Sequence, residues 1–142
     1  MPSKTLFNRE KIIIYTDGGS RGNPGPSALG VVIGDREYAQ YLGNMTNNQA
    51  EYHAVIFALK KAKQLVGKKK TKEMDVEVRM DSELIVKQLN AEYKIEDPDL
   101  QPLFLEVWNL RFDFKKIDFK HVPREQNKIA DKLVNQALDD RN

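Results

Sequence analysis

Four acidic residues stand where the sequence predicts that secondary-structure elements begin or end: Asp17, Glu51, Asp81 and Asp131. Two of them end predicted strands, one starts a helix, and the fourth lies early in the last helix, at the margin of its apolar stripe. Hard divalent cations such as Mg²⁺ bind a few carboxylates together with water and phosphate oxygens. Four anions packed together without a cation would repel one another. The set therefore predicts a metal site if the fold brings the four together, although each acid taken singly is also explained as a solvated surface residue.

The first of these acids ends the stretch from Lys11 to Pro26, K-I-I-I-Y-T-D-G-G-S-R-G-N-P-G-P. Its apolar, β-branched run, Ile12 to Thr16, predicts a strand covered on both faces and therefore central in a sheet. Asp17 is the predicted last residue of that strand, before a turn cluster whose glycines let another backbone approach closely. The alternative is a central strand that ends in a solvated aspartate and a loose turn.

The segments after this turn predict two more strands and a helix. The strands are Ala28–Gly34 and Glu37–Gly43, joined by a hairpin turn at Asp35-Arg36, so that three antiparallel strands form a meander. Thr46 and Gln49 have the spacing of a capping box at a helix start. The apolar residues behind them repeat at helical spacing until Gly67.

The second half of the chain alternates strands and helices. The predicted elements are a strand Met74–Asp81, a helix Glu83–Leu89 with Ser82 as its N-cap, a helix Pro98–Phe112, a strand Lys116–Val122 and a final helix with Ile129, Ala130, Leu133, Val134, Ala137 and Leu138 inward. Trp108 is predicted to lie in the core. Together the elements predict an α/β fold with a five-stranded mixed sheet, a meander of three plus two parallel strands, flanked by helices.

Composition is that of an ordinary globular protein. The chain has 142 residues, 40% of them hydrophobic and 31% charged, with a net charge of only +2 and no cysteine, which excludes disulfides and thiolate metal sites. No apolar run approaches the roughly 20 residues that span a bilayer. We expect a short lead-in over 1–10, one domain over 11–142, a monomer, and a cytoplasmic location.

Four segments together resemble type 1 ribonuclease H. They are T-D-G-G-S-R-G-N-P-G-P (Thr16 to Pro26), T-N-N-Q-A-E-Y (Thr46 to Tyr52), M-D-S-E (Met80 to Glu83) and H-V-P-R-E-Q-N-K-I-A-D (His121 to Asp131). Each motif alone is modest, but their order, spacing and secondary-structure settings all agree. The resemblance extends from about Lys11 to Leu138.

The resemblance implies an RNase H-like fold and an endonuclease that cuts the RNA strand of an RNA/DNA hybrid. The four carboxylates correspond to the metal ligands of the family, with Asp17 bridging two Mg²⁺ ions and Mn²⁺ as an alternative ion. The implied two-metal mechanism leaves a 5′-phosphate and a 3′-hydroxyl.

Hybrid selectivity requires recognition of ribose 2′-hydroxyls and of the shape of the DNA strand. The resemblance implies these substrate-binding residues: Gly18, Gly19, Ser20, Asn23, Thr46, Asn47 and Asn48. Thr46 and Asn23 match family positions near a pocket for a DNA phosphate. The asparagines also suit turn and helix-cap duties, and we expect Asn23 and Asn47 to serve both purposes.

His121 stands ten residues before Asp131, the interval at which the family has a loop histidine that assists proton transfer or product release. Here Val122-Pro123 follows it instead of a glycine-rich loop. A half-buried histidine at the end of a strand is the alternative interpretation.

The basic protrusion that some family members use to grip the hybrid is predicted to be absent. The matching region, Ala91 to Asp99, has one lysine among four acids. A lysine cluster, Lys68 to Lys72, follows the first helix. It either contacts substrate phosphates or is a solvated loop. We therefore expect weak, salt-sensitive substrate binding.

Two alternative functions keep the same fold. One is a hybrid-binding module with weak or no catalysis, and the other is a related nuclease that acts on DNA. The presence of all four carboxylates argues against the first, and the Asp-Gly-Gly-Ser segment with the asparagine-rich helix start argues against the second.

Overall fold

The computed structural model describes residues 11–141, so the predicted lead-in over 1–10 lies outside the described residues. The elements in chain order are β1 (Lys11–Ser20), β2 (Gly25–Ile33), β3 (Arg36–Met45), α1 (Asn47–Val66), α2 (Lys68–Thr71), β4 (Asp75–Met80), α3 (Glu83–Leu89), α4 (Gln101–Arg111), β5 (Lys116–His121) and α5 (Lys128–Asp139). A single 3₁₀ turn, Arg124–Gln126, precedes α5.

The five strands form one mixed sheet in the order β3-β2-β1-β4-β5. The pairs β1–β2 and β2–β3 are antiparallel, whereas β1–β4 and β4–β5 are parallel. This arrangement confirms the predicted meander of three strands plus two parallel strands, with β1 in the centre. Because β1 and β4 are parallel neighbours, their carboxyl ends meet at the same edge of the sheet.

β1 does not end at Asp17, as the sequence predicted, but continues to Ser20. Its pairing with β4 stops at Tyr15, while its pairing with β2 continues as far as Ser20 opposite Ser27. The antiparallel partner therefore keeps Gly18 and Gly19 in extended backbone, and the turn cluster begins only at Arg21.

The two faces of the sheet are covered by different helices. The larger core cluster includes Ile14 of β1, Val31 of β2 and Leu59 of α1, all fully buried. A smaller cluster joins Ala28 of β2 to Val134 and Leu138 of α5. The helices α1 and α5, which carry two of the four acids, thus pack on opposite faces of the same strands.

Two glycines allow these helices to approach the sheet more closely than any side chain would permit. A Cβ atom at Gly18 of β1 would lie 2.3 Å from the carbonyl carbon of Ala50 in α1. A Cβ atom at Gly30 of β2 would lie 2.2 Å from the carbonyl oxygen of Ala130 in α5. Gly30 is paired with Asp17 in the sheet register, so both close approaches occur beside the same carboxylate.

The buried carboxylate of Glu77 links the three strands β1, β4 and β5 through ion pairs. The Glu77 side chain is 3% exposed and forms ion pairs with Lys11 at 2.8 Å, Arg79 at 2.5 Å and Lys120 at 3.2 Å. Burial alone would raise the pKa of Glu77, but the hydrogen bonds from these three cations outweigh it and lower the pKa to about 2. The stabilisation is present above the ordinary pKa of 4.5 and is lost as the pH falls towards 2.

Most predicted helix boundaries agree with the structure. Thr46 and Gln49 form the predicted capping box, Gly67 ends α1, and Ser82 caps α3. Helix α4 begins three residues later than predicted, at Gln101 rather than Pro98. The Asp97 side chain accepts a hydrogen bond from the Asp99 backbone at 2.9 Å and keeps that segment in a turn.

Two expectations about helical segments were wrong, and one alternative was only partly right. The lysine cluster, for which a solvated loop was one interpretation, begins in the short helix α2, Lys68–Thr71. Trp108, expected in the core, is 40% exposed because its neighbour Val107 points inward and each helical residue turns by about 100°. Ile129, expected to face inward, is 53% exposed for the same reason, since Ala130 occupies the inner face of α5.

We expect Gly30→Ala to destabilise the protein by about 1–3 kcal/mol, the usual cost of overpacking. The added methyl group would collide with the backbone of α5, which cannot rotate away as a side chain can. Urea denaturation followed by circular dichroism measures the free energy of unfolding. Gly19→Ala is the matched control, since its Cβ would lie 3.2 Å from a side-chain methyl of Val134. Equal stability of Gly30→Ala and wild type would contradict the close approach.

Candidate active site

Three of the predicted acids converge at the carboxyl edge of the central strands. Asp17 projects from β1, Glu51 from the start of α1, and Asp81 directly follows β4. One carboxylate oxygen from each lies within 4.8 Å of the others, a spacing that suits ligands of a single metal ion. Asp17 and Glu51 are 7% and 4% exposed, so neither charge is solvated as it would be at the surface.

Asp131 completes the set from the opposite face of the sheet. It lies in the first turn of α5, is exposed, and lines the same cavity of about 210 Å³ as the other three acids. Its charge is close enough to raise the pKa of Asp17. The structure therefore brings all four predicted carboxylates to one cavity.

Burial and mutual repulsion oppose the ionisation of the carboxylates in this site. Burial is the main cause that raises the pKa of Asp17 to about 8, and the charges of Asp81 and Asp131 add to it. The pKa of Glu51 is raised well above its ordinary value, again mainly by burial and then by the charge of Asp17. Hard oxygen ligands crowded in this way fit a divalent cation, which would compensate their charge.

A backbone hydrogen bond fixes Glu51 against the strand that carries Asp17. The Gly18 N–H donates to Glu51 Oε1 at 2.8 Å. This bond forms because the absence of a side chain at Gly18 lets the first turn of α1 rest on β1. Gly18 thus binds the carboxylate of Glu51 directly and is also the residue that follows Asp17 in β1.

Asn127 fixes the helix that carries Asp131, and the sequence analysis missed it. This residue is 1% exposed, and its Nδ2 donates to the Thr16 carbonyl at 2.9 Å. The backbone carbonyl of Asn127 accepts from the Asp131 N–H at 3.1 Å. One amide side chain therefore links the residue before Asp17 to the start of α5. Its place four residues before Asp131, at the start of a helix, was the available signal.

The predicted substrate-binding residues fall into two groups. Four line the cavity: Gly18, Gly19, Ser20 and Asn47. The other three, Asn23, Thr46 and Asn48, are not among the lining residues.

Hydrogen bonds join the two groups around the start of α1. The Ser20 N–H donates to Asn47 Oδ1 at 3.2 Å, and the Asn47 N–H donates to Asn23 Oδ1 at 3.0 Å. Thr46 Oγ1 accepts from the Gln49 N–H at 3.2 Å as the helix cap. Asn23 serves the expected turn and cap duties, because its side chain binds the first N–H of α1, whereas the N-cap is Thr46 and the Asn47 side chain binds the end of β1. The contacts of both asparagines with substrate remain predictions.

Known proteins share both this sequence pattern and this fold. The family model described as reverse transcriptase-like matches residues 15–137. LC11-RNase H1, solved in complex with an RNA/DNA hybrid, is 47% identical with a TM-score of 0.85, over 90% of this chain and 96% of that one. RNase H1 from the halophilic archaeon Halobacterium salinarum is 42% identical with a TM-score of 0.84, over 92% and 99%.

The chain belongs to the type 1 ribonuclease H family. It spans only part of some relatives: 65% of the Ribonuclease HI of Halobacterium salinarum, at 42% identity, and 36% of the bifunctional protein Rv2228c of Mycobacterium tuberculosis, at 38% identity. The match covers 92% and 91% of this chain, respectively. Within residues 11–141, no helix is both long and apolar enough to cross a membrane.

Two arginines that the sequence analysis did not single out also line this cavity. Arg21 forms an ion pair with Asp139 at 2.8 Å, which ties the turn after β1 to the end of α5. Arg124 lies in the 3₁₀ turn before α5 and lines the cavity beside the acids. Arg124 stands inside the last of the four quoted motifs, seven residues before Asp131, and its position there was the available signal.

His121 is exposed as the last residue of β5, opposite Met80 in the register. The interpretation of a half-buried histidine was therefore wrong, because β5 is an edge strand and its end is open to solvent. His121 is not among the residues that line the cavity. A role in proton transfer or product release stays a prediction.

The lysine cluster lies at the far end of α1 from the site. Helix α1 begins beside the cavity and has 20 residues, which at about 1.5 Å per residue places its end about 30 Å away. Lys68, Lys69 and Lys70 belong to the short helix after it. In the segment between α3 and α4, where the protrusion of other family members is found, the structure has no helix or strand.

We expect Asp17→Asn to stabilise the metal-free protein at neutral pH. The unfolded state releases this proton near pH 3.8 and the folded state near pH 8, so the free energy of unfolding falls as the pH rises between these values. Urea denaturation in EDTA should show this decline in wild type and a flatter profile in Asp17→Asn. Mg²⁺ should reverse the decline in wild type.

Asp118→Asn is the matched control, because Asp118 is 44% exposed and lies outside the cavity. Parallel pH profiles for wild type and Asp17→Asn would contradict the assigned electrostatics.

Proposed function

We propose that this chain is a divalent-metal-dependent endonuclease that hydrolyses the RNA strand of RNA/DNA hybrids. The observation that carries the proposal is the convergence of four carboxylates, two of them buried, on one cavity of a ribonuclease H fold. The similarity to LC11-RNase H1, which was solved with an RNA/DNA hybrid, supports the choice of substrate.

The donor set fits Mg²⁺, because it offers only hard oxygen ligands. Asp17, Glu51 and Asp81 would hold one ion, and Asp17 with Asp131 a second, with Mn²⁺ as an alternative. When bound, the ions supply Lewis-acid stabilisation of the phosphate and a water nucleophile at neutral pH. The proposed products are a 5′-phosphate and a 3′-hydroxyl.

The residues of the chain position the hybrid relative to these carboxylates. The extended backbone of Gly18 and Gly19 lines the cavity beside Asp17, where a phosphodiester would approach the carboxylates. Ser20 and Asn47 line the same cavity with groups able to exchange hydrogen bonds with a ribose 2′-hydroxyl.

Arg124 places a positive charge at the cavity, which the acids alone would make repulsive to nucleic acid, and Arg21, which is paired with Asp139, lines the cavity as well. Guanidinium groups bind phosphate oxygens in a bidentate manner. We infer that they offset the acidic cluster for the incoming phosphodiester backbone. Without a basic protrusion, hybrid binding should be weak and sensitive to salt.

The experiment is cleavage of a hybrid with labelled RNA, in Mg²⁺ and in EDTA, beside matched double-stranded RNA and double-stranded DNA. We expect metal-dependent cutting of the hybrid RNA alone. Asp17→Asn should lower the rate by more than about 100-fold, since even changes behind a metal ligand cost about 10–100-fold. Asp118→Asn, a carboxylate outside the cavity, is the matched control and should cut like wild type.

Each alternative function has its own outcome in this experiment. A hybrid that is bound but left intact in both Mg²⁺ and Mn²⁺ would indicate a binding module and overturn the proposed catalysis. Cutting of double-stranded DNA in place of the hybrid would preserve the metal site and overturn the substrate.

A further inference from the structure

The edge of the sheet opposite the active site carries an exposed surface of aromatic and basic residues. We call it the basal surface, and its residues are Lys68, Lys69, Lys70, Lys72, Trp108, Arg111, Phe112, Lys115 and Lys116. It lies where α1 and α4 end and where β4 and β5 begin. No part of the active-site cavity reaches it.

The aromatic part is a row of rings along α4. Phe104 and Trp108 stack with centroids 6.4 Å apart, and Phe112 meets Trp108 edge-on at 5.8 Å. Trp108 is 40% exposed and Phe112 is 69% exposed, so this row opens to solvent as it reaches the end of the helix. The rings border a groove of about 350 Å³ that Phe114 and Lys116 also line.

Three of the basic residues lie beside these rings. The Arg111 guanidinium carbon lies 4.7 Å from the centroid of the Trp108 ring, and Lys115 and Lys116 line the same groove. The Lys115 N–H donates to the Met74 carbonyl at 3.1 Å, and the Met74 N–H donates to the Thr71 carbonyl at 3.0 Å. These two bonds join the groove to α2 and its exposed lysines.

Positive charge predominates on this surface. Its seven cationic residues have four acidic neighbours in the sequence, which are Glu73, Asp75, Asp113 and Asp118. Asp113 is already bound by Lys63 at 3.0 Å, and Asp118 lies 3.6 Å from Lys116. Since the whole chain carries only +2, the basal surface concentrates positive charge that the rest of the molecule lacks.

Helix-dipole compensation explains only part of this arrangement. Cations near the carboxyl ends of α1 and α4 are favourable, and Lys63 and Arg111 occupy the last turns of those helices. The dipole does not account for two large aromatic side chains left open to solvent among the cations. Aromatic rings beside lysine and arginine are the combination that binds unpaired nucleotides.

We propose that the basal surface binds single-stranded nucleic acid. Unpaired bases would stack on Trp108 and Phe112, while the phosphates contact the surrounding lysines and Arg111. A duplex would not bind in this way, because its bases are already stacked on each other and are not free to stack on the two rings. The length of α1 separates this surface from the active site, so both can be occupied in one molecule.

The test is fluorescence anisotropy of a labelled oligothymidylate of about 16 nucleotides, within the length range that such surfaces cover. EDTA and the Asp17→Asn background keep the active site out of the measurement. We expect Trp108→Ala and Phe112→Ala each to weaken binding by about fivefold or more, the loss typical of one stacking contact. Phe112→Trp should retain binding.

Tyr41→Ala is the matched control, since Tyr41 is a 42%-exposed aromatic residue on β3, far from the basal surface in the sheet order. It should bind like the parent protein. A variant with Lys69, Lys70 and Lys115 replaced by glutamine should lower the salt dependence of binding by about 2 in logarithmic slope. Circular dichroism checks that each variant is folded.

Three outcomes would overturn the proposal. The first is an oligothymidylate that does not bind, and the second is equal weakening by Tyr41→Ala and Phe112→Ala. The third is a protein that sediments as a dimer which Phe112→Ala dissociates, because the basal surface would then be an interface between two copies. The outcome does not depend on hybrid cleavage, since no metal is present.

Discussion

The candidate active site depends on two close contacts, in each of which a helix packs against a glycine of the sheet. At Gly18 and Gly30, the backbones of α1 and α5 lie where a Cβ atom would be only 2.3 and 2.2 Å from a main-chain atom. These contacts on opposite faces of β1 and β2 bring Glu51 and Asp131 to the strand that carries Asp17. Any side chain at either position would move a helix and its carboxylate outward. The glycine that follows Asp17 is therefore needed because a side chain there would collide with the backbone of α1.

The same packing explains why the acids tolerate one another. Burial and like charges raise the pKa values of Asp17 and Glu51, so folding opposes full ionisation of the cluster. The buried Asn127 amide holds the start of α5 in place through a bond that does not involve the acids, and the Gly18 N–H favours the ionised form of Glu51. Outside the cavity, the ion pairs of Glu77 with its three cations link β1, β4 and β5. The stability of the fold thus maintains an arrangement of charges that a bound cation would relieve.

The fold and the identity of the four site carboxylates could be predicted from the sequence, because both depend on local sequence patterns. Strand and helix periods, the capping box at Thr46 and Gln49, and the order of the motifs specify the sheet and the ends of its strands. The errors arose where tertiary contacts decide. Pairing with β2 extends β1 beyond Asp17, and small rotations of the inward face expose Trp108 and Ile129. Asn127 was missed because a single buried amide has no periodicity, and its function becomes visible only when β1 lies beside it.

We propose that these close contacts create a metal site in which Asp17, Glu51 and Asp81 hold one ion. The most direct measurement is an anomalous difference map from crystals grown with Mn²⁺, because it locates the ion without reference to activity. The account predicts a peak in direct contact with oxygens of Asp17, Glu51 and Asp81. It also predicts that the peak weakens in Asp17→Asn crystals. A peak elsewhere, or none in a structure whose carboxylates lie as described, would contradict it.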